Sequence, residues 1–143
     1  MTRKAFTLVE ILIVVVILGI LAAIVIPQFT EASNDARASA LATDLQTLRS
    51  QIELYRMQHV GTYPTFISGT ATCQMTNSTT IAGTISATGT LGPYLQDIPA
   101  NPYQPAATAQ LVDLTWNGTT APGSSHGWYY QPTTGHIAAG VAP

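Results

Sequence analysis

A single acidic residue, Glu10, stands inside a long apolar stretch near the start of this 143-residue chain. The stretch runs from Phe6 to Ile26, and Glu10 is the one charged residue in it. A carboxylate at membrane depth costs a few kcal/mol, and such residues usually have a partner and a function. No Lys, Arg or His lies in the same stretch. The attraction between a carboxylate and a helix N-terminus, about 0.3–1 kcal/mol, is smaller than the burial cost and does not account for Glu10.

One cation could reach Glu10, namely a new α-amino group made by cutting the chain just before Phe6. Residues four apart are neighbours on a helix surface, so Phe6 and Glu10 share a face. We therefore predict that the Phe6 amine of one subunit meets the Glu10 carboxylate of the next.

The other residues that could do chemistry form no catalytic or metal-binding pattern. His59, His126 and His136 lack the spacing of a helical zinc site, and Cys73 has no CxxC partner. There is no G-x-S-x-G context, no P-loop and no GxGxxG. Cys73 is most simply a small buried hydrophobic residue. The sequence therefore predicts no enzyme, no cofactor and no metal site.

The apolar stretch has the length and the flanks of a membrane-spanning helix. Its 21 residues would span roughly 31 Å as a helix, about the hydrocarbon thickness of a bilayer. Arg3 and Lys4 precede it and the next basic residue is Arg37, so the positive-inside rule places the N-terminus in the cytoplasm. The alternative is a secretory signal peptide with a weak cleavage site at Ala22-Ala23. Signal peptides, however, have an apolar core of about 7–15 residues.

Two residues weaken the end of this helix. Pro27 has no N–H, so the carbonyl of Ala23 loses its helical partner. Gly19 adds backbone freedom. We predict a kink or local melting between Gly19 and Pro27 in an assembled state, and a mild kink in a straight span is the alternative.

The segment KAFTLVEILIVVVILGILAAIVIPQF resembles the N-terminus of type IV pilins and of the pseudopilins of type II secretion. The resemblance implies that prepilin peptidase removes a leader, Met1–Ala5, and that Phe6 becomes an N-methylated N-terminus. It also implies that Glu10, the fifth residue of the processed chain, is the acidic residue used for filament assembly. The family usually has glycine where this chain has Ala5.

The residues after Phe29 have the pattern of an amphipathic helix that Gly61 and Pro64 end. Its apolar residues recur at spacings of three and four and form one stripe: Ala38, Leu41, Leu45, Leu48, Ile52 and Tyr55. We expect this stripe to pack on the chain's own sheet, since the residues that follow need a core partner. A short coiled coil is the alternative.

The last third of the chain predicts strands. Val112–Trp116 alternates apolar and polar residues, and Asn117-Gly118 after it is a hairpin signal. His126–Tyr130 and His136–Gly140 flank the turn QPTTG. The Thr-rich stretch from Thr70 to Thr90 reads as a surface loop.

The predicted fold is α+β and pilin-like: a long N-terminal helix, with a membrane half and an amphipathic half, packs against a small antiparallel sheet of about three strands. The predicted organisation is a leader at 1–5, a transmembrane and filament-core helix at 6–29, the amphipathic half at 30–59 and a globular head at 60–143. GTYP, GPYLQDIPANPY and GWYYQPTTGHI look similar to the major pseudopilin of type II secretion. That family often binds calcium through acidic side chains in its C-terminal loop, but TTGHIAAGVAP has none, so no such site is predicted.

The resemblance implies a structural subunit of a type IV filament, either a pilus or a secretion pseudopilus. Its implied partners are further copies in a helical homopolymer, prepilin peptidase, an inner-membrane assembly platform and, before assembly, the lipid bilayer. The head would lie in the periplasm until assembly gives an extracellular or periplasmic filament. Nucleic acid is not expected, since the chain has no basic face. The alternative is a singly anchored periplasmic enzyme or binding module.

Overall fold

The computed structural model describes residues 6–65 and 73–141. It contains one helix, α1 at Leu8–Gln58, and three short strands, β1 at Val112–Asp113, β2 at Trp128–Gln131 and β3 at His136–Ala139. The predicted α+β class, with one long N-terminal helix and a small sheet, is confirmed. The chain divides into two compact units, Met1–Ala38 and Ser39–Pro143.

In the first unit, the described residues form the N-terminal part of α1, which has no covering layer. Every described residue up to Ala38 is exposed, and the large apolar side chains from Phe6 to Phe29 are 41–81% exposed. Among the described residues, α1 is the one helix long and apolar enough to cross a membrane, judged by length and composition. It continues unbroken through Gly19 and Pro27 in the single chain. The kink predicted between them concerns the assembled state and stays a prediction.

The second unit uses the amphipathic part of α1 as one wall of its core. The stripe predicted from spacing is confirmed from Leu41 to Tyr55, whereas Ala38 is exposed. Three of its residues are almost completely buried and two are partly buried: Leu48, Ile52 and Tyr55, then Leu41 and Leu45. The remaining wall comes from the strands, among them Trp128, Tyr130 and Ile137.

The sheet has the order β1-β2-β3 and is mixed, so the prediction of an antiparallel sheet is wrong for one of its two pairs. β2 and β3 are antiparallel, with Gln131 opposite His136 across the predicted QPTTG turn. β1 lies parallel to β2, with Val112 opposite Trp128. β1 is also shorter than predicted, and the hairpin expected after it does not form.

The side chain of Asn117 explains why that hairpin is absent. Its Oδ1 accepts hydrogen bonds from the N–H groups of Thr119 and Thr120, each at 3.0 Å. The indole N–H of Trp116 donates to the carbonyl of Thr120 at 2.8 Å. Asn side chains favour such local turns, and this one leads into a longer connection, which a parallel pair of strands requires.

Loop segments complete the core. Cys73 and Met75 are buried at 0–1% exposure, which confirms the interpretation of Cys73 as a small buried residue. Thr79 is also fully buried and forms isolated bridges with Ile85 and Leu91. The described part of the Thr-rich stretch is therefore only partly the surface loop that was predicted.

Candidate assembly site at the start of the helix

Glu10 lies in the first turn of α1, where it forms a reciprocal cap with Thr7. Its Oε2 accepts hydrogen bonds from the backbone N–H of Thr7 at 2.8 Å and from the Thr7 hydroxyl at 2.9 Å. The backbone N–H of Glu10 donates to Oγ1 of Thr7 at 3.3 Å. This arrangement is a capping box, which satisfies N–H groups that the first turn of a helix leaves unpaired.

Thr7 was not singled out from the sequence, although T-x-x-E directly before an apolar run is the signature of a capping box. Its presence gives the carboxylate of Glu10 a partner within its own chain. A cap of this kind typically contributes about 1 kcal/mol. Both of the Thr7 groups that donate to the carboxylate are neutral, so the cap leaves the negative charge uncompensated.

The Glu10 carboxylate remains open to a further partner. Both hydrogen bonds from Thr7 end on Oε2, so Oε1 has no hydrogen bond within the described residues. Glu10 forms no ion pair with any described residue either. Phe6 directly precedes the cap and its side chain is 79% exposed. The structure thus places two of the predicted site residues, Phe6 and Glu10, at one exposed helix end, while Ala5 lies outside the described residues.

Gly19 and Pro27 lie further along the exposed part of α1. A Cβ atom added at Gly19 would meet no atom within 4 Å, so packing inside the single chain does not require glycine there. Small residues on apolar helices let a second helix approach closely. Gly19 can therefore give the backbone local freedom, or it can allow the helix of a second copy to approach closely.

The histidines have structural contacts. The ring of His59 is buried, stacks on Tyr55 with centroids 3.7 Å apart and bonds Thr79 through Nε2 at 2.9 Å. His136 stacks on Trp116 with ring centroids 5.2 Å apart. Within residues 6–65 and 73–141, no group of three or more His, Cys, Asp or Glu side chains could hold a metal ion.

Comparison with known proteins finds a family model that includes the same helix end. Residues 1–26 match the family described as the prokaryotic N-terminal methylation motif. The chain is 36% identical over 67 residues to type II secretion system core protein G of Pseudomonas aeruginosa, which covers 47% of this chain and 46% of that protein. Core protein G of Vibrio cholerae is 38% identical over 67 residues, covering 47% of this chain and 45% of that protein.

A fimbrial protein of Neisseria meningitidis is also similar, with 30% identity over 96 residues, covering 67% of this chain and 49% of that protein. The matched part of the chain spans less than half the length of each of these relatives. No solved structure matches the chain significantly. The resemblance first seen between Lys4 and Phe29 is confirmed: the chain carries the prokaryotic N-terminal methylation motif and is similar to type II secretion core protein G and to a fimbrial protein.

Proposed function

We propose that the chain is a structural subunit of a type IV filament, either a pilus or a secretion pseudopilus. The observation that supports this most strongly is the N-terminal methylation motif at residues 1–26, on an apolar helix that its own chain leaves uncovered. The similar proteins are pilin-type structural proteins rather than enzymes. We therefore assign the chain no catalytic role.

Before assembly, the apolar segment 6–29 spans the inner membrane and the head lies in the periplasm. Prepilin peptidase removes Met1–Ala5, and an inner-membrane assembly platform then moves the helix from lipid into the filament core. Lipid and apolar helix surfaces are about equally apolar, so this exchange gains little from the hydrophobic effect. Assembly therefore needs a contact that sets the position of each incoming subunit.

That contact is a pair between the Phe6 amine of one subunit and the Glu10 carboxylate of its neighbour. The cap uses Oε2 of Glu10, and Oε1 can accept the amine, so capping and pairing are compatible. Hydrogen bonds between two charged groups are roughly twice as strong as those between neutral groups. A buried carboxylate without a counter-charge would be strongly unfavourable in the filament core.

Two substitutions separate the charge of Glu10 from its capping bonds. Glu10→Gln keeps an amide oxygen that can accept from Thr7 but removes the negative charge, whereas Glu10→Ala removes both. We expect both variants to be cleaved before Phe6 and to form few or no filaments, because each lacks the counter-charge for the amine. N-terminal sequencing checks cleavage, and electron microscopy of sheared fractions checks assembly. Normal filaments from Glu10→Gln would refute the pairing.

N-terminal sequencing of the wild-type protein also tests the class of protein. A mature chain that begins at Phe6 supports the filament subunit. One that begins at Ile24 indicates a signal peptide, and one that begins at Met1 or Thr2 indicates a singly anchored module.

We also propose that the segment from Gly19 to Pro27 kinks or melts in the filament. Pro27 removes one helical hydrogen bond, and the single chain gives Gly19 no packing role. A filament map with an uninterrupted helical hydrogen-bond ladder from Gly19 to Phe29 would overturn this part of the proposal.

A further inference from the structure

We propose a second charged contact between neighbouring subunits, formed by Arg49 of one subunit and Glu53 of the next. It rests on the proposed filament function and on the pairing of Phe6 with Glu10. It lies in the amphipathic part of α1, away from the apolar segment, and it would fix the position of one head against another.

Arg49 is an exposed cation that has no ionic partner among the described residues. Its guanidinium donates only a long hydrogen bond, 3.4 Å, to the carbonyl of Ile137. It borders a cleft of about 330 Å³ between α1 and the β2–β3 turn, where Glu53 and His136 also lie. The carboxylate of Glu53 is 3.4 Å from Arg56, not paired with Arg49, and its side chain is 54% exposed.

Cations are scarce in this protein, so an unpaired one is a significant feature. No Lys or Arg follows Arg56, and removal of the leader leaves Arg37, Arg49 and Arg56 as the basic side chains. Seven acidic residues accompany them. A helix that carries an exposed, unpaired arginine one turn from a half-exposed glutamate is complementary in charge to a second copy of the same helix that is shifted along its axis by one turn.

The proposed pair at the helix start supplies such a shift. If residue 6 of one subunit is level with residue 10 of its neighbour, the two helices are displaced by four residues, or about 6 Å. In a helical homopolymer every subunit has the same rise relative to its neighbour, so the displacement is the same before and after the segment from Gly19 to Pro27, whatever the conformation of that segment. Residues 49 and 53 are also four apart on α1, so the same displacement brings Arg49 of one subunit level with Glu53 of the next.

The same displacement has an unfavourable consequence elsewhere on the helix. It brings Glu31 level with Asp35 of the neighbouring subunit, and both are exposed and without an ionic partner in the described residues. Like charges at close range are destabilising. The register therefore predicts opposite effects at two sites: loss of the Arg49 charge weakens assembly, and Glu31→Gln strengthens it.

Charge reversal tested in trans distinguishes a contact between subunits from one within a subunit. Arg49→Glu yields a chain with acids at positions 49 and 53, and Glu53→Arg yields a chain with arginines at both. In a filament made of either variant alone, residue 49 of each subunit faces a like charge at residue 53 of the next. We expect filament yield to fall roughly two- to fivefold, which is the effect of one exposed ion pair. When the two variants are produced together, they can alternate so that every contact is attractive, and yield should return towards wild type.

Recovery in trans cannot arise from a bond inside one subunit, such as that from Arg49 to the Ile137 carbonyl. If the mixed chains assemble no better than the separate ones, the proposal is wrong. A fall in filament yield for Glu31→Gln would also contradict the register.

Cross-linking locates the contact directly. The single variants Arg49→Cys and Glu53→Cys are produced together, so that no chain carries both cysteines, and sheared filaments are treated with a bifunctional maleimide of about 10 Å span, close to the distance between packed helix axes. We expect more cross-linked dimers than either variant gives alone, a comparison that also controls for Cys73, which is buried. The matched control, Thr43→Cys produced together with Thr47→Cys, has the same spacing and exposed positions on another face of α1 and should give no such increase.

The outcomes separate this inference from the proposed function. If the wild-type chain forms no filaments, the proposed function fails and this contact fails with it. If filaments form and depend on Glu10, but the mixed 49 and 53 cysteine variants give no more dimers than the mixed 43 and 47 control, only the second contact is refuted.

Discussion

At the residue scale, the carboxylate of Glu10 caps its own helix, and we propose that it also pairs with a neighbouring subunit. A helix that begins in hydrocarbon has backbone N–H groups that water cannot satisfy, and each unsatisfied group costs several kcal/mol. Thr7 and Glu10 satisfy such groups reciprocally. The acid thus stabilises its own helix without any neighbour, and the pair that we propose with Phe6 would add a counter-charge to a group that is already positioned.

We expect Thr7→Val to loosen the first turn of α1. Valine has nearly the shape of threonine but lacks the hydroxyl that donates to Glu10 and accepts its N–H. Loss of a cap costs about 1 kcal/mol, which corresponds to roughly fivefold faster opening. Hydrogen exchange of the amides of Leu8 to Ile11 in micelles measures this, with Thr7→Ser as the control that keeps the hydroxyl. Equal exchange in both variants would show that the hydroxyl does not stabilise the turn.

The phenol of Tyr55 should make the head sensitive to alkali. Burial, with a smaller contribution from Tyr94, raises the pKa of Tyr55 to about 12 from its ordinary 10.0. Above pH 10 the unfolded chain loses a proton that the folded chain keeps, so this contribution to stability is complete below pH 10 and disappears as the pH rises through about 12. Tyr55→Phe removes the titrating group and should flatten the dependence of the free energy of unfolding on pH in that range. Urea denaturation of both chains between pH 9 and 12 measures this dependence. If the free energy of unfolding changes equally with pH in the two chains, the prediction is wrong.

At the scale of elements, periodic patterns in the sequence correctly predicted the features that depend on neighbouring residues. The stripe from Leu41 to Tyr55 and the turn between β2 and β3 follow from spacing and turn residues, and both are present. The parallel pairing of β1 was not predictable in this way, because it depends on contacts with Trp128, sixteen residues after Val112.

The residues of the candidate site and of the head also differ in whether the local sequence reveals them. Phe6 and Glu10 stand out by charge and spacing, whereas Thr7 required recognition of a cap. Asn101, a buried residue of the head, gave no local signal. Its amide donates to the carbonyls of Gly127 and Gly140, 26 and 39 residues away, and such partners are known only once the chain is folded.

Gly135 in the β2–β3 turn is required by both its backbone conformation and its surroundings. Its φ is 71°, a conformation that other residues rarely adopt, and a Cβ there would lie 2.1 Å from the ring of Tyr63. We expect Gly135→Ala to lower the free energy of unfolding by about 2 kcal/mol, since strain and overpacking each cost about 1 kcal/mol or more. Thr133→Ala, at an exposed position of the same turn, should change it by less than about 0.5 kcal/mol. Chemical denaturation of the full chain compares them, and equal losses would contradict this account.

The whole molecule combines a unit that lacks a core with one whose core includes part of the same helix. All described residues before Ser39 are exposed, while Leu48, Ile52 and Tyr55 are among the most buried in the chain. The predicted boundary at residue 60 follows the end of the helix. The hydrophobic core includes residues on both sides of that boundary.

Two truncations test this dependence. A chain of residues 30–143 lacks the apolar segment but retains the core, and we expect it to be soluble without detergent and to unfold cooperatively. A chain of residues 60–143 lacks Leu48, Ile52 and Tyr55. Loss of one such side chain costs about 2–5 kcal/mol. Loss of all three therefore costs about as much as the whole free energy of unfolding of a typical domain, about 5–15 kcal/mol.

The shorter chain should therefore show neither a near-ultraviolet circular dichroism signal nor a cooperative urea transition, while the longer one shows both. A cooperative transition from residues 60–143 would mean that the head folds as an autonomous domain and does not need the helix for its core. If the longer chain also fails to fold, the apolar segment must contribute to the stability of the head. The exposed state of its residues in the single chain gives no physical basis for that.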